Sequence, residues 1–342
     1  MTDYATILRN LGYKLQDRGS YWQTSAIYRD GDNNTAISIY KDSGVWTDFV
    51  EGARPLPFEL LLKKTLKTDN VSHIIDSASQ LNFTETRREL LKEEKTFPES
   101  CLKKLLPDFD YFKTRGVTEE TQKAYKAGLA TSGKLYRRTV FPVYREDGKI
   151  HGFSGRKIVD NDSSPKWLHY GKSADWFYPY FTVKDCQNKI DQEKTVFLVE
   201  SIGDSMALHQ EGVENNIVIF GNVIKPRLVS RLSAMNCKIV LSLNNDNGQN
   251  RGFDGALTSV LKLMDTVDLE NIWFLPPPVG DFGDLLKEDG AIKKWRQELF
   301  FDKDSHKISL SKLIEYAPKA RIAKSLLPKV SKLKKELDFI YN

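Results

Sequence analysis

"TVFLVESIGDSMALHQEGVENNIVIF", residues 195–220, passes from an apolar run of strand length into a mixed stretch with helical spacing, then back into an apolar run. The pattern continues through "KIVLSL" (238–243) and "NIWFLP" (271–276), with "KPRLVSRLSAMN" and "FDGALTSVLKLMD" as the intervening helices. Near-continuous apolar strands separated by helices mark a parallel sheet covered on both faces. Residues 191–290 therefore read as a compact α/β domain. In such a sheet, functional groups gather at the carboxyl ends of the strands.

Carboxylates recur at that edge. Glu200 closes the first run, Asp204 follows one turn along the next helix, Asp246 lies just past the third run, and Asp281 and Asp284 lie just past the fourth. Acidic groups brought together at one edge repel one another and resist ionisation unless a hard cation neutralises them. Oxygen donors of this kind suit Mg²⁺ or Mn²⁺, and the chemistry that uses them is metal-assisted phosphoryl transfer. A single Asp after a strand is more often a helix cap than a ligand, so the joint placement carries the reading. Asp254, further along from Asp246, is expected on a solvated helix face and is left out of the set. In "LSLNNDNGQNRGFDGA" (241–256), Gly248 and Gly252 are expected to shape the turn that presents Asp246.

Working outward, "TVFPVYREDGKIHGFSGRKI" holds two β-rich runs around Glu146-Asp147-Gly148, whose Asp-Gly favours a tight hairpin. "GVTEETQKAYKAGLA" before it has helical spacing, so residues 105–190 read as an α+β module. "AISIYKDSGVWTDFVEG" alternates around Lys41 to Gly44, and "PFELLLKKTL" closes a small module over residues 1–65. Residues 66–104 read as a helical linker, and residues 291–342 as a basic helical tail. That tail is expected either to dock on a partner or DNA, or to pack on its own domain.

The 342 residues leave room for about two domains by the prior of one per ~150 residues. Net charge is a modest +5, but residues 111–172 carry 13 Lys/Arg against 6 Asp/Glu, and residues 305–342 carry 9 against 3. Basic patches on an otherwise acidic chain point to a polyanion followed by particular surfaces. The three cysteines, Cys101, Cys186 and Cys237, are far apart, which suits a reducing compartment and offers no CxxC site. "MTDYATILRN" lacks a basic start followed by an apolar stretch, and no run approaches the ~18–20 apolar residues of a membrane span. The expectation is a cytoplasmic protein with no membrane partner.

Glu200 through Asp204, Asp246 in its loop, and Asp281 with Asp284 resemble the TOPRIM domain of bacterial and phage primases, topoisomerases and some nucleases. "YFKTRGVTEETQKAYKAGLA", "RRTVFPVYREDGKIHGFSGR" and "SPKWLHYGK" resemble, in the same order, the basic subdomain that precedes TOPRIM in DnaG-type primases. The likeness covers roughly residues 105–290. It implies a DNA primase of a phage-type replisome, making short RNA primers from ribonucleoside triphosphates on single-stranded DNA beside a hexameric helicase. No GxxxxGK[ST] loop occurs, so that helicase would be a separate chain. It also implies Glu200 and Asp246 as catalytic residues, Glu200 either binding metal or managing the proton of the attacking hydroxyl, with Asp204, Asp281 and Asp284 joining them at the metal unless Asp204 only orients its neighbours and Asp284 only caps a short helix. Arg138, Arg156, Lys166 and Lys172 would contact template or triphosphate, and Trp167 and His169 would stack on or hydrogen-bond to a base.

Three departures from the family bear on this. Residues 1–65 resemble the later strands and closing helix of a zinc ribbon, yet contain no Cys and no His, so no ordinary zinc site forms. Trp22, Tyr28, Tyr40, Trp46 and Phe49 are expected to hold that module instead. Ser201 replaces the usual Gly after the glutamate. Asn244-Asn245-Asp246 replaces the usual Asp-x-Asp, and Asn offers an oxygen without a charge. The competing readings are a TOPRIM nuclease or topoisomerase, and a lapsed primase relative that binds DNA or helicase without catalysis.

Overall fold

The computed structural model describes residues 3–52, 54–68, 71, 95–159, 163–245, 251–299 and 301–341. The chain divides into two compact units, Met1–Glu93 and Glu94–Asn342.

In the first unit, α1 (Tyr4–Asn10) and α2 (Phe58–Leu66) cover an antiparallel meander of β1 (Gln16–Asp17), β2 (Tyr21–Thr24), β3 (Ile37–Tyr40), β4 (Trp46–Asp48) and β5 (Pro55–Leu56). Alternation in β3 turns Ile37 and Ile39 inward beside Trp46, Leu8, Leu61 and Leu62. The Trp46 indole N–H donates to the Pro57 carbonyl at 2.9 Å. Asp48 is buried and knots the module together. Its two oxygens accept from Arg29 Nε and Nη2, both at 3.1 Å, from the Tyr28 hydroxyl, and from the backbone N–H groups of Val50 and Glu51. Trp46, Tyr28 and Trp22 thus serve as expected, but Tyr40 and Phe49 do not: they are 36% and 55% exposed. Tyr40 ends β3 and Phe49 follows β4, where the chain has already left the covered face of the sheet.

The second unit begins with an antiparallel sheet in the order β10-β9-β8-β7-β6. Its strands are β6 (Leu105–Leu106), β7 (Gly128–Ala130), β8 (Arg138–Tyr144), β9 (Ile150–Lys157) and β10 (Trp167–Gly171). The β8–β9 hairpin turns at Gly148, whose φ of +70° favours glycine. Between β6 and β7 lie α3 (Asp110–Lys113) and α4 (Glu119–Ala124), the latter capped by the Thr118 hydroxyl accepting from Thr121 N at 3.2 Å. The expected helix ends early. "GLA" becomes β7, because Gly128 packs so tightly on Leu105 that a Cβ would lie 2.8 Å from the Leu105 Cβ.

One face of this sheet carries Phe141 and Val143 into the main core, and the other carries Val140 and Phe153 into a smaller core with Leu135. Phe97, Cys101 and Leu102 pack on that smaller core, and Phe97 N donates to Ile150 O at 2.9 Å. Residues 97–104, placed in the linker by pattern, are part of this sheet's packing. Most of the proposed helical linker lies outside the described residues.

After α5 (Lys184–Glu193) comes a parallel sheet in the order β12-β11-β13-β14, made of β11 (Thr195–Val199), β12 (Asn216–Val218), β13 (Lys238–Leu241) and β14 (Ile272–Phe274). Helices α6 (Ile202–Gln210), α7 (Pro226–Ala234) and α8 (Arg251–Leu263) alternate with the strands, as the periodicity predicts. Short α9 (Phe282–Leu285) follows β14. The tail forms α10 (Ala291–Gln297), α11 (Lys303–Tyr316) and α12 (Leu327–Tyr341). Ile292, Trp295, Leu310, Leu313, Leu333 and Leu337 bury into the same core as the sheet, so the tail packs on its own domain. Asp254 is part of that docking and is not a solvated residue, because its Oδ1 accepts from the Tyr316 hydroxyl at 2.7 Å and from Arg321 N at 2.8 Å. No helix among the described residues is long and apolar enough to cross a membrane.

Candidate active site

β11, β13 and β14 pair in parallel with Leu198, Leu241 and Phe274 in register, so their carboxyl ends lie side by side. Glu200 leaves the end of β11, and its Oε1 accepts from Asn244 N at 3.1 Å. The next residue, Asn245, exchanges backbone hydrogen bonds with Gly280 at 2.8 and 2.9 Å, which ties the loop after β13 to the loop after β14. Its side-chain N–H donates to the carbonyls of Pro277 and Pro278 at 3.2 and 2.7 Å. Asp246 and Gly248 lie outside the described residues. Gly252 is not a turn residue; it sits in the first turn of α8, where a Cβ would stand 1.8 Å from the Asn244 carbonyl oxygen. Its lack of a side chain is what lets α8 press against the loop.

Asp281 caps α9 by accepting from Asp284 N at 2.8 Å, and exposed Asp284 pairs with Lys287 at 2.7 Å. Asp204 is 2% exposed and forms a capping box with Ser201. Its Oδ2 accepts from Ser201 N at 3.0 Å and the Ser201 hydroxyl at 2.7 Å, and its Oδ1 accepts from Phe282 N at 3.2 Å. Burial, and then the neighbouring Asp281 charge, push the Asp204 carboxyl up to about 7 despite those donors.

Among the described residues, no three of Asp, Glu, His or Cys come together closely enough to enclose a metal ion. The five-carboxylate cluster expected from sequence is therefore not found as one group within them. What the described residues do offer is oxygen chemistry. Asn244 Oδ1 is sealed from solvent without a hydrogen-bond donor among the described residues, while the backbone N–H of the same residue donates to Glu200. A buried acceptor left in that state costs about 1–3 kcal/mol, a penalty that a hard cation would relieve.

The basic residues divide by strand register. Arg138 pairs with Lys157, whereas Thr139, Arg156 and Trp167 pair across β8, β9 and β10. Alternate residues point to opposite faces, so Arg138 and Arg156 face opposite ways. Arg138 is 4% exposed. Its guanidinium donates to the Pro165 carbonyl at 2.9 Å, the Gly155 and Lys166 carbonyls at 3.3 and 3.4 Å, and the Ser164 hydroxyl at 2.9 Å. Arg138 holds the turn before β10 and is not presented to a phosphate.

Arg156 donates from Nε to the Tyr111 hydroxyl at 2.7 Å and lies 5.6 Å from the Trp167 ring centroid. Trp167 also packs on Phe141 in the core. Arg115 stacks on Tyr111 at 3.8 Å, and a cleft of about 390 Å³ lined by Asp108, Tyr111, Arg115 and Thr139 opens beside them. Tyr111 and Arg115 carried no role in the sequence reading, although "YFKTRG" contains both; their stacking is visible only in three dimensions.

His169 is half-buried, with its ring against the edges of Trp176 and Phe220 and its Nδ1 3.1 Å from the Ser154 hydroxyl. Burial, with the nearby Lys225 charge, holds its pKa below the ordinary value, so the ring is neutral near pH 7. Because Phe220 follows β12, this contact brings β10 to the carboxyl end of the parallel sheet. Lys166 and Lys172 flank β10 and are exposed.

No family model matches the chain. Curated bacterial proteins described as DNA primase do match it, among them the following two. That of Clostridium acetobutylicum is 30% identical over 179 residues, 46% of this chain and 28% of the relative. That of Aquifex aeolicus is 23% identical over 269 residues, 68% of this chain and 50% of the relative. The chain thus spans at most half the length of these relatives. Among solved structures, the zinc-binding and RNA polymerase domains of the Aquifex aeolicus primase are 16% identical, with 100% of this chain and 97% of that chain covered at a TM-score of 0.49. That structural likeness is too loose to carry an argument about activity. The resemblance to DnaG-type primases carried by the motifs extends to curated bacterial primases.

Proposed function

We propose that the chain carries the primer-synthesising part of a DNA primase, joining ribonucleoside triphosphates into short RNA on a single-stranded DNA template. The observation that carries the reading is a pairing of two surfaces on one core. The strand ends bearing Glu200, Asn244 and Asp281 share a core with the antiparallel sheet, where Arg156 of β9 contacts both Tyr111 of α3 and Trp167 of β10. The curated relatives named above support it.

In primer synthesis a 3′-hydroxyl attacks the α-phosphorus of a nucleoside triphosphate and pyrophosphate leaves. A bound Mg²⁺ or Mn²⁺ supplies the positive charge that offsets the phosphates and eases ionisation of the attacking hydroxyl. Glu200, the Asn244 side-chain oxygen and Asp281 are the groups that would hold it, with Asp246 as a further carboxylate and Asp284 at the rim. Glu200 is oriented for this by the Asn244 N–H. Arg156, whose Nε is fixed by Tyr111, offers a cation to template or triphosphate oxygens, and Arg115, stacked on the same tyrosine, adds a second. Lys166 and Lys172 extend the positive path along β10, and Trp167 gives a ring for base stacking. A separate hexameric helicase is the proposed partner.

The test is incubation of the chain with single-stranded DNA, labelled ribonucleotides and Mg²⁺ or Mn²⁺, with and without a replicative helicase. Short RNA is the expected product. Template degradation in Mg²⁺ without nucleotides would identify a nuclease, and absence of RNA under every condition would overturn the proposal.

A further inference from the structure

Asp204 stands where two loops of the site meet. It accepts from the N–H and hydroxyl of Ser201, the residue after Glu200, and from the N–H of Phe282, the residue after Asp281. One buried side chain therefore clamps the backbone beside each of two carboxylates that are far apart in sequence. Ser201 completes the clamp by accepting from Asp204 N at 3.3 Å, which fixes the start of α6. Three donors occupy the carboxylate, and all three come from the protein.

From this geometry we infer that Asp204 is a positioning residue that sets the spacing between Glu200 and Asp281, and is not itself a ligand of the cation. The inference rests on the metal-site reading of the proposed function. An asparagine at 204 has one carbonyl oxygen and an NH₂ group that cannot accept, so Asp204→Asn must give up either the Ser201 side or the Phe282 side of the clamp. Groups that orient metal ligands typically contribute roughly 10- to 100-fold to metal affinity.

Two readouts on the full chain test this. Amide hydrogen exchange of Ser201 and Phe282 is followed without metal, and Mn²⁺ binding is measured from the free-ion paramagnetic resonance signal. Asp204→Asn is expected to speed exchange at one of those amides and to weaken Mn²⁺ binding by roughly 10- to 100-fold. Ser201→Ala, which keeps the carboxylate, is expected to weaken Mn²⁺ binding in the same direction by a smaller factor. If Asp204→Asn weakens Mn²⁺ while both amides exchange as before and Ser201→Ala is neutral, Asp204 is a ligand and the inference fails. If exchange quickens while Mn²⁺ affinity is unchanged, the clamp is structural only, and it fails again. Should Asp204→Asn not fold, unchanged Mn²⁺ affinity in Ser201→Ala overturns the inference, and weakened affinity supports it. Neither readout requires primer synthesis, so failure of the primase reading shows separately in the RNA assay.

Discussion

Asp48 in the first unit and Asp204 in the second are both buried aspartates, yet their environments push them in opposite directions. For Asp48, burial raises the pKa, but Arg29, Tyr28 and the backbone N–H groups of Val50 and Glu51 outweigh it and bring the carboxyl down to about 2. Asp204 receives three donors, yet burial and then the Asp281 charge outweigh them, so it rises to about 7. The first unit neutralises its own buried charge and needs nothing more. The second keeps two acidic side chains, Asp204 and Asp281, close enough to raise the pKa of one of them, and leaves the Asn244 amide oxygen without a donor among the described residues.

The largest expected effect falls on Glu200 in the second unit. Glu200→Gln should reduce RNA synthesis by roughly 10²- to 10⁴-fold, the range for a group that manages a reacting proton. Circular dichroism and melting temperature should stay near wild type, because Glu200 sits at a strand end and not in the core. Equal activity in the variant would remove Glu200 from the site.

In the first unit, Arg29→Ala removes the cation and two of the donors that hold Asp48, which should lower the midpoint of a denaturant melt of that unit. A change within about 0.5 kcal/mol would show that the hydrophobic core around Trp46 holds the module without the ion pair.

pH separates the two aspartates by sign. Asp48 has a folded pKa below its unfolded value of 3.8, so its contribution is present above about pH 4 and lost as pH falls through about 2. Asp204 has a folded pKa above that same unfolded value, so its contribution is present below about pH 4 and lost as pH rises through about 7. Between pH 4 and 7 the Asp204 contribution to the second unit should fall with rising pH, a component that Asp204→Asn removes, while the first unit's Asp48 contribution holds steady. Amide exchange resolved by unit, compared between the wild type and Asp204→Asn, checks this; the same pH slope in both contradicts the assignment.

The smallest effect expected is at the tail. Tyr316→Phe removes one hydrogen bond to Asp254 and should cost about 1 kcal/mol, with faster exchange confined to the chain around Arg321. No change there would mean that burial of Leu310, Leu313, Leu333 and Leu337 alone docks the tail.

Much of this was legible in the residue order. Apolar runs separated by helical spacing located all four parallel strands, because a strand buried on both faces has little choice but to be continuously apolar. Asp147-Gly148 located the β8–β9 turn through the conformation its glycine adopts. The site was legible only in outline. Glu200 and Asp281 stand at the expected edge, but for Asp204 spacing left open a ligand or an orienting group, because it shows which residues approach an edge and not which donors they meet there. Arg138 and Arg156 were equivalent as basic residues in β-rich stretches. Pairing register sends them to opposite faces, so one is buried beneath backbone carbonyls and the other contacts Tyr111.

The sequence by itself determined the α/β alternation, the basic sheet before it, and the absence of zinc ligands in the first 65 residues, since these follow from local pattern and residue identity. Only the tertiary structure decided how Asp254 meets Tyr316 and Arg321, how Arg115 stacks on Tyr111, and how Asp204 joins loops 78 residues apart. Those contacts depend on which faces pack together, and one chain's periodicity carries no information about partners so distant along it.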